Sequence, residues 1–150
     1  MISNLLNELG AQYGINIPSI ADTETLTFTF KNNIELYLYL SNNKQTLHLF
    51  STVHDIHSHE NRLHLFEYLL KFQLMGVKSK NNTFGLSDNG HKVYIFRNFD
   101  MHTITPDTFI HGVKSLAITC EHARETINDL KNGLETINQA IPMNLIFNHV

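Results

Sequence analysis

The sequence predicts an α+β domain, in which an antiparallel, twisted sheet of about five strands is combined with three helices in the order α-β-β-β-α-β-β-α. Three observations predict this fold class. Several short segments alternate strictly between apolar and polar residues, as strands with one buried face do. Short polar turns separate these segments, which indicates antiparallel hairpins. Three longer segments repeat apolar residues at intervals of three or four, which is the spacing of one helix face.

The predicted helices and strands make up a single domain over residues 1–150, with a flexible tail after about residue 140. By residue number, the elements are a helix over 2–13, strands over 25–30, 34–40 and 46–53, a helix over about 60–75, strands over about 83–86 and 92–99, and a helix from 105 to about 131. The first helix can end at Gly14, because glycine tolerates a left-handed backbone. The last helix begins most clearly, since Thr105 is a good N-cap and Pro106 suits the first helical position.

The strands are predicted from alternation and from the turns between them. Residues 25–30 place three apolar side chains on one face and three threonines on the other, and residues 34–40 alternate in the same way. Polar residues 31–33 and 41–44 separate the first three strands. The pair Asn89-Gly90 lies between the last two strands and favours a tight hairpin turn, because both residue types accept a positive φ.

Composition and charge argue against several classes of function. The formal net charge is −3 and the eleven Lys and Arg residues are scattered singly, so the chain lacks the basic patch of a nucleic-acid-binding protein. Cys120 is the only cysteine, which fits a reducing compartment. The N-terminus lacks the features of a signal peptide, and no apolar run reaches the ~20 residues of a membrane-spanning helix. We therefore expect a soluble intracellular protein that neither binds nucleic acid nor inserts into membranes.

The histidines before the middle helix are candidate metal ligands. His54, His57 and His59 lie close together in the sequence and could hold zinc, because imidazole is a common ligand. Their spacing matches no closed structural site, so the sequence favours a solvated polar connector over a metal site. Cys120 lies in the apolar stripe of the last helix and diverges from His122, which indicates a core cysteine. With no phosphate-binding loop and no nucleophile motif, the sequence predicts no catalytic residues, no cofactor and no enzymatic activity.

The middle helix has two apolar faces, whereas a surface helix needs one. One face carries Leu63, Phe66, Leu70 and Leu74, and the other carries Leu65, Tyr68, Leu69, Phe72 and Met75. Either the helix is buried centrally within its own domain, or the second face packs on another copy of the chain. We expect a homodimer, with Leu65, Leu69 and Phe72 at its interface and the opposite face as the alternative.

Aromatic residues lie on the face of the strands that should point away from the leucines. Tyr37, Tyr39, His48 and Phe50 alternate with leucines, and Tyr94 and Phe96 follow the same pattern if Val93 and Ile95 face the core. Such residues are either packed under a loop or exposed as a docking surface. Sequence alone leaves both possibilities open.

The order of elements resembles that of the type III secretion chaperones of the Tir-chaperone (CesT-like, class I) family. Four segments carry the resemblance together with the last helix from Phe109 onward: LLNELG at 5–10, LFEYLLKFQ at 65–73, TFGLS at 83–87 and VYIF at 93–96. The resemblance implies a homodimer in the bacterial cytoplasm that binds the N-terminal region of a secreted effector and keeps it soluble and competent for export. In this family the middle helix and its neighbouring strands usually form the dimer, while the first helix and the strands form effector grooves.

The resemblance also suggests which residues contact the effector. We expect these contacts at Leu5, Leu9, Tyr37, Tyr39 and Phe50. The chain is only mildly acidic, with a pI of about 6.3, whereas members of the family are commonly strongly acidic. An adaptor of another bacterial secretion system is therefore an alternative. So is a small metal- or ligand-binding protein that uses the histidine cluster.

Overall fold

The computed structural model describes residues 2–17 and 25–132, and its element order confirms the predicted one. The elements are α1 (Ile2–Tyr13), β1 (Leu26–Phe30), β2 (Ile34–Leu40), β3 (Thr46–Asp55), α2 (Arg62–Gln73), β4 (Thr83–Leu86), β5 (Lys92–Asp100) and α3 (Pro106–Lys131). The predicted tail after about residue 140 lies outside the described residues. No helix in the described ranges is long and apolar enough to cross a membrane.

The strands form one antiparallel sheet in the order β1-β2-β3-β5-β4. The two longest strands, β3 and β5, pair near the centre of the sheet, while β1 and β4 form its edges. The tight connections between β1 and β2, between β2 and β3, and between β4 and β5 are the hairpins that alternation and turn residues predict. The pairing of β3 with β5 instead of β4 is a long-range arrangement, because α2 and its flanking turns lie between β3 and β4 in the chain.

One face of the sheet carries the helices and the hydrophobic core. Leu36, Leu38, Leu49 and Ile95 are fully buried on this face, as strict alternation along a one-sided sheet requires. The long helix α3 packs across β2, β3 and β5, α1 packs against α3, and α2 packs beside β4. Phe109 anchors α3 in the core, where its ring meets that of Phe99 edge to face with the ring centroids 5.6 Å apart. The helices therefore leave the opposite face of the sheet uncovered by any of them.

Both boundaries of the segment between β3 and α2 differ from the prediction. Strand β3 continues to Asp55, because His54 and Asp55 pair with Val93 and Lys92 of β5, so these two residues are not part of a connector. Helix α2 begins at Arg62 and not near residue 60, since the side chain of Asn61 accepts a hydrogen bond from the His64 N–H at 3.1 Å and caps the helix.

The turn between α2 and β4 is held in place by a buried asparagine. The Nδ2 of Asn82 donates to the Ser79 carbonyl at 2.8 Å and to Ser115 Oγ at 3.2 Å, which ties the turn to α3. Its Oδ1 accepts a hydrogen bond from Nε of Arg97 at 3.0 Å, and Arg97 also donates to the Lys80 carbonyl. These bonds satisfy both polar atoms of the Asn82 side chain and tie the start of β4 to α3 and β5.

The beginning of α3 is a reciprocal cap. Thr105 Oγ1 accepts a hydrogen bond from the Thr108 N–H at 3.2 Å, and Thr108 Oγ1 accepts one from the Thr105 N–H at 3.0 Å. Pro106 occupies the first helical position, and Asp107 in the first turn favours the positive end of the helix dipole. The N-terminal end predicted for this helix is thus confirmed.

Replacing Thr105 with alanine is expected to lower the free energy of unfolding by about 1 kcal/mol, since it leaves the first turn of α3 without its side-chain acceptor. Urea unfolding followed by circular dichroism measures the change. Thr103→Ala, at an exposed position just before the cap, is the matched control. Equal effects of the two substitutions would contradict a capping role for Thr105.

Candidate protein-binding surfaces

Helix α2 has the two apolar faces that the sequence predicts, and the structure shows which one points inward. Leu65, Leu69 and Phe72 are only 5%, 6% and 4% exposed, because they pack into the core of their own chain. The ring of Phe72 lies between those of Phe84 and His122, with centroid distances of 5.6 and 5.5 Å. Leu65, Leu69 and Phe72, which the sequence suggests for a dimer interface, thus lie on the inward face of α2. Their apolar surface is already covered within one chain and is not available to a second.

The opposite face of α2 is the exposed one. Leu63 and Leu70 are 72% and 69% exposed, while Phe66 between them is half-buried under the guanidinium of Arg62. This face continues into an apolar groove of about 290 Å³ between α2 and β4, whose walls include Phe66, Leu70 and the exposed Leu86. We call this region the α2–β4 surface and define it by Leu63, Phe66, Leu70 and Leu86. Exposed apolar surface of this kind is typical of contacts with other proteins.

A second apolar surface lies on the uncovered face of the sheet. Tyr37 and Phe50 stack with ring centroids 5.2 Å apart, and Tyr94 meets Phe50 edge to face at 6.1 Å. Tyr39 stacks on His48 at 5.8 Å. We call this region the aromatic face and define it by the half-buried side chains of Tyr37, Tyr39, His48, Phe50, Tyr94 and Phe96.

Strand register brings these rings together. Tyr37 lies opposite Phe50, and Phe50 lies opposite Phe96 on its other side, so side chains from three strands form one row. The rings line an open groove of about 470 Å³, and all of its lining residues belong to β2, β3 and β5. No loop in the described residues contributes to the lining, which favours the docking-surface interpretation over packing under a loop. Burial and a hydrogen bond to the neighbouring Glu35 raise the pKa of Tyr37, so its hydroxyl stays protonated.

The residues predicted to contact an effector divide into two groups. Tyr37, Tyr39 and Phe50 lie on the aromatic face. Leu5 and Leu9 are 1% and 0% exposed, because α1 turns both leucines into the hydrophobic core, away from the aromatic face. Two further members of the row, Tyr94 and Phe96, were not among the predicted contact residues. Their alternation with the buried Val93 and Ile95 is the signal that identifies them.

The histidine cluster is organised around a carboxylate. Nε2 of His54 lies 2.7 Å from Oε2 of Glu60, and the other oxygen of Glu60 accepts a hydrogen bond from the His57 N–H at 3.2 Å. Glu60 therefore joins the end of β3 to the turn that precedes α2, while His59 is exposed. Within the described ranges, no group of three or more His, Cys, Asp and Glu side chains is arranged to hold a metal ion.

Glu60→Gln is expected to lower the free energy of unfolding at neutral pH by about 1 kcal/mol, because it weakens a charge-assisted hydrogen bond at a partly buried site. Burial raises the pKa of Glu60, but the hydrogen bonds from His54 and His57 outweigh burial and hold this pKa below its ordinary value of 4.5. A carboxyl whose pKa is lowered by folding stabilises the native state above its ordinary pKa and loses that contribution as the pH falls through the folded value.

The difference in stability between wild type and Glu60→Gln should therefore shrink as the pH falls below 4.5. Urea unfolding over a series of pH values measures it. Glu67→Gln, at an exposed position of α2, is the matched control. A difference that grows as the pH falls below 4.5 would contradict the bonding described for Glu60.

The antiparallel sheet carries helices on one face and aromatic residues on the other, and a further apolar surface lies beside it. These features define an α+β domain of the protein-binding class. Residues 4–124 match the model of the Tir chaperone protein (CesT) family. The chain belongs to this family, which confirms the resemblance seen in the sequence. Comparison with curated proteins returns no match.

Solved structures of low sequence identity share the fold. A structure of the ExsC–ExsE complex superposes with a TM-score of 0.66 at 18% identity, covering 83% of this chain and 91% of that one. The HopA1–SchA chaperone–effector complex gives 0.63 at 15% identity, with coverage of 83% and 93%. The heterodimeric ExoU–SpcU complex from the type III secretion system of Pseudomonas aeruginosa gives 0.61 at 17%, with coverage of 84% and 93%.

Proposed function

We propose that this protein is a type III secretion chaperone of the bacterial cytoplasm. It acts as a homodimer, binds the N-terminal region of a secreted effector and keeps that effector soluble and competent for export. Membership of the Tir chaperone protein (CesT) family supports the class of function. The observation that carries the proposal is the presence of two separate apolar surfaces on one small domain. One surface suits a second copy of the chain, and the other suits a client.

The α2–β4 surface is the proposed homodimer contact. It is formed by a rigid helix and a strand, and Leu63 and Leu70 project from it almost without cover. A preformed patch of this kind can be buried against its own two-fold-related copy, because each partner then supplies the same complementary shape. The family resemblance implies a dimer through the middle helix and its neighbouring strands, which supports this proposed location. The exposed face of α2 thus replaces Leu65, Leu69 and Phe72 as the proposed interface.

The aromatic face is the proposed client-binding surface. Its row of rings offers large apolar contact area at low cost in side-chain entropy, and the tyrosine hydroxyls can bond to an extended backbone. The groove runs across three strands, so it can hold a segment that carries apolar side chains without a fold of its own. The HopA1–SchA structure is described as a chaperone–effector complex, which supports an effector as the client of this chain.

Co-purification with the product of a neighbouring gene tests the proposal. The protein is co-expressed with that candidate effector, either full-length or lacking its N-terminal region, and complexes are measured by size exclusion with light scattering. We expect a complex that contains a chaperone dimer and that is lost with the N-terminal region, together with reduced effector export in a strain lacking the chaperone. Binding that survives removal of this region would contradict the proposal. Export through another secretion system would favour the adaptor alternative.

A further inference from the structure

The outer edge of β4 borders the α2–β4 surface, and its backbone groups can be assigned from the strand register. Gly85 lies opposite Tyr94, and the Ser87 N–H donates to the Lys92 carbonyl at 2.9 Å. Because hydrogen-bonded and non-hydrogen-bonded pairs alternate along an antiparallel ladder, the backbone groups of Phe84 and Leu86 point away from β5. These two residues therefore present the backbone at the open edge of the sheet.

A side chain of α2 occupies this edge. Oε1 of Gln73, the last residue of α2, accepts a hydrogen bond from the Phe84 N–H at 2.6 Å. The hydrogen bonds of Asn82 and Arg97 hold the beginning of β4 in place, and α2 holds Gln73. The backbone of Phe84 and the side chain of Gln73 therefore keep their relative position. Without this bond, the Phe84 N–H could pair with a strand from another molecule. Gln73 satisfies it within the chain.

The need for such a bond follows from the two edges of the sheet. Among the described residues, β1 forms one edge of the sheet and β4 forms the other. If both edges accepted strands, β4 of one copy could pair with β1 of the next, and head-to-tail contacts of this kind grow without closing. The exposed Leu70 and Leu86 beside β4 would strengthen this tendency, since apolar side chains next to an open edge promote aggregation.

We propose that Gln73 blocks strand addition at β4, so that the α2–β4 surface accepts a second copy of this chain by side-chain packing alone and association stops at a closed pair. The inference rests on the homodimer of the proposed function. Gln73 is thus a positioning residue, which determines whether the α2–β4 surface associates by side-chain packing or by strand addition.

Gln73→Ala and Gln73→Met test the proposal, the second because methionine keeps the length of glutamine without an oxygen acceptor. Gln73→Glu keeps the acceptor, and Gln12→Ala is a matched substitution at an exposed position of α1. Light scattering over a range of protein concentrations gives the mass of each variant, and NMR hydrogen exchange reports on the Phe84 amide. We expect wild type, Gln73→Glu and Gln12→Ala to reach one limiting mass. The two variants without an acceptor should continue to grow with concentration, with Phe84 exchanging about tenfold faster.

Two results would overturn the proposal. In the first, the Phe84 amide exchanges faster in Gln73→Ala and Gln73→Met, but both variants reach the same limiting mass as wild type. The bond would then not limit association. The other is unchanged exchange at Phe84, because Gln73 would then not be its acceptor in solution. Failure of the homodimer is seen separately, as wild-type protein that stays monomeric at every concentration. Growth of the two variants from such a monomer would still show that Gln73 blocks the edge.

Discussion

Leu70→Glu is expected to convert the homodimer into a monomer without lowering the free energy of unfolding of each subunit. Leu70 is 69% exposed in the single chain, so glutamate at this position is hydrated and tolerated by a helix. In the dimer the same carboxylate would be buried in an apolar contact without a partner, at a cost of about 3 kcal/mol or more. Both copies carry the substitution, so the dimer would bury two such carboxylates, and its dissociation constant should rise by roughly 10,000-fold, measured by sedimentation equilibrium.

Two controls make this expectation specific to the exposed face of α2. Ile118→Glu introduces the same charge at an exposed apolar position of α3, outside the groove between α2 and β4, and should leave the mass unchanged. Leu69→Glu, one residue from Leu70 but only 6% exposed, should unfold or aggregate the protein, because it buries a charge in the core. A Leu70→Glu protein that remains dimeric would place the dimer contact elsewhere.

The second large effect is expected at the centre of the aromatic face. Phe50 contacts Tyr37 on one side and Tyr94 on the other, so Phe50→Ala interrupts the row at its middle. Central aromatic residues of protein interfaces commonly contribute about 2 kcal/mol or more to binding. We expect the affinity for the effector's N-terminal segment to fall roughly 30-fold in isothermal titration calorimetry.

The control for this substitution lies on the same side of the sheet. Thr29→Ala alters an exposed side chain of the edge strand β1, away from the row of rings, and should leave client affinity unchanged. Circular dichroism of Phe50→Ala confirms that the variant is folded before binding is measured. Client binding at wild-type affinity by a folded Phe50→Ala protein would show that the aromatic face does not hold the client.

Local patterns along the chain determined most of the fold. Period-two alternation identified β1, β2 and β3, since a strand with one buried face repeats every second residue, and the turn at Asn89-Gly90 marked the hairpin of β4 and β5. The capping residues Thr105 and Pro106 located the beginning of α3, because a cap depends on side chains next to the backbone groups they bond. The same patterns indicated that α2 has two apolar faces and that aromatic residues lie opposite the buried leucines. All of these features depend on residues close together in the sequence.

Tertiary structure decided which apolar face meets which partner. Periodicity shows that Leu65 and Leu70 lie on different sides of α2, but only packing against β4 and α3 shows that Leu65 is the buried one. The same holds for Leu5 and Leu9, whose place on the apolar face of α1 does not distinguish a core contact from a client groove until α1 is docked on α3.

The hydrogen bond from Phe84 to Gln73 joins residues eleven positions apart, and the bond from Arg97 to Asn82 joins residues fifteen apart. The sequence by itself thus determined the elements and their amphipathic faces, which arise from local backbone geometry. Which face packs in the core, and how the β4 edge is blocked, required the folded chain, because both depend on contacts between distant segments.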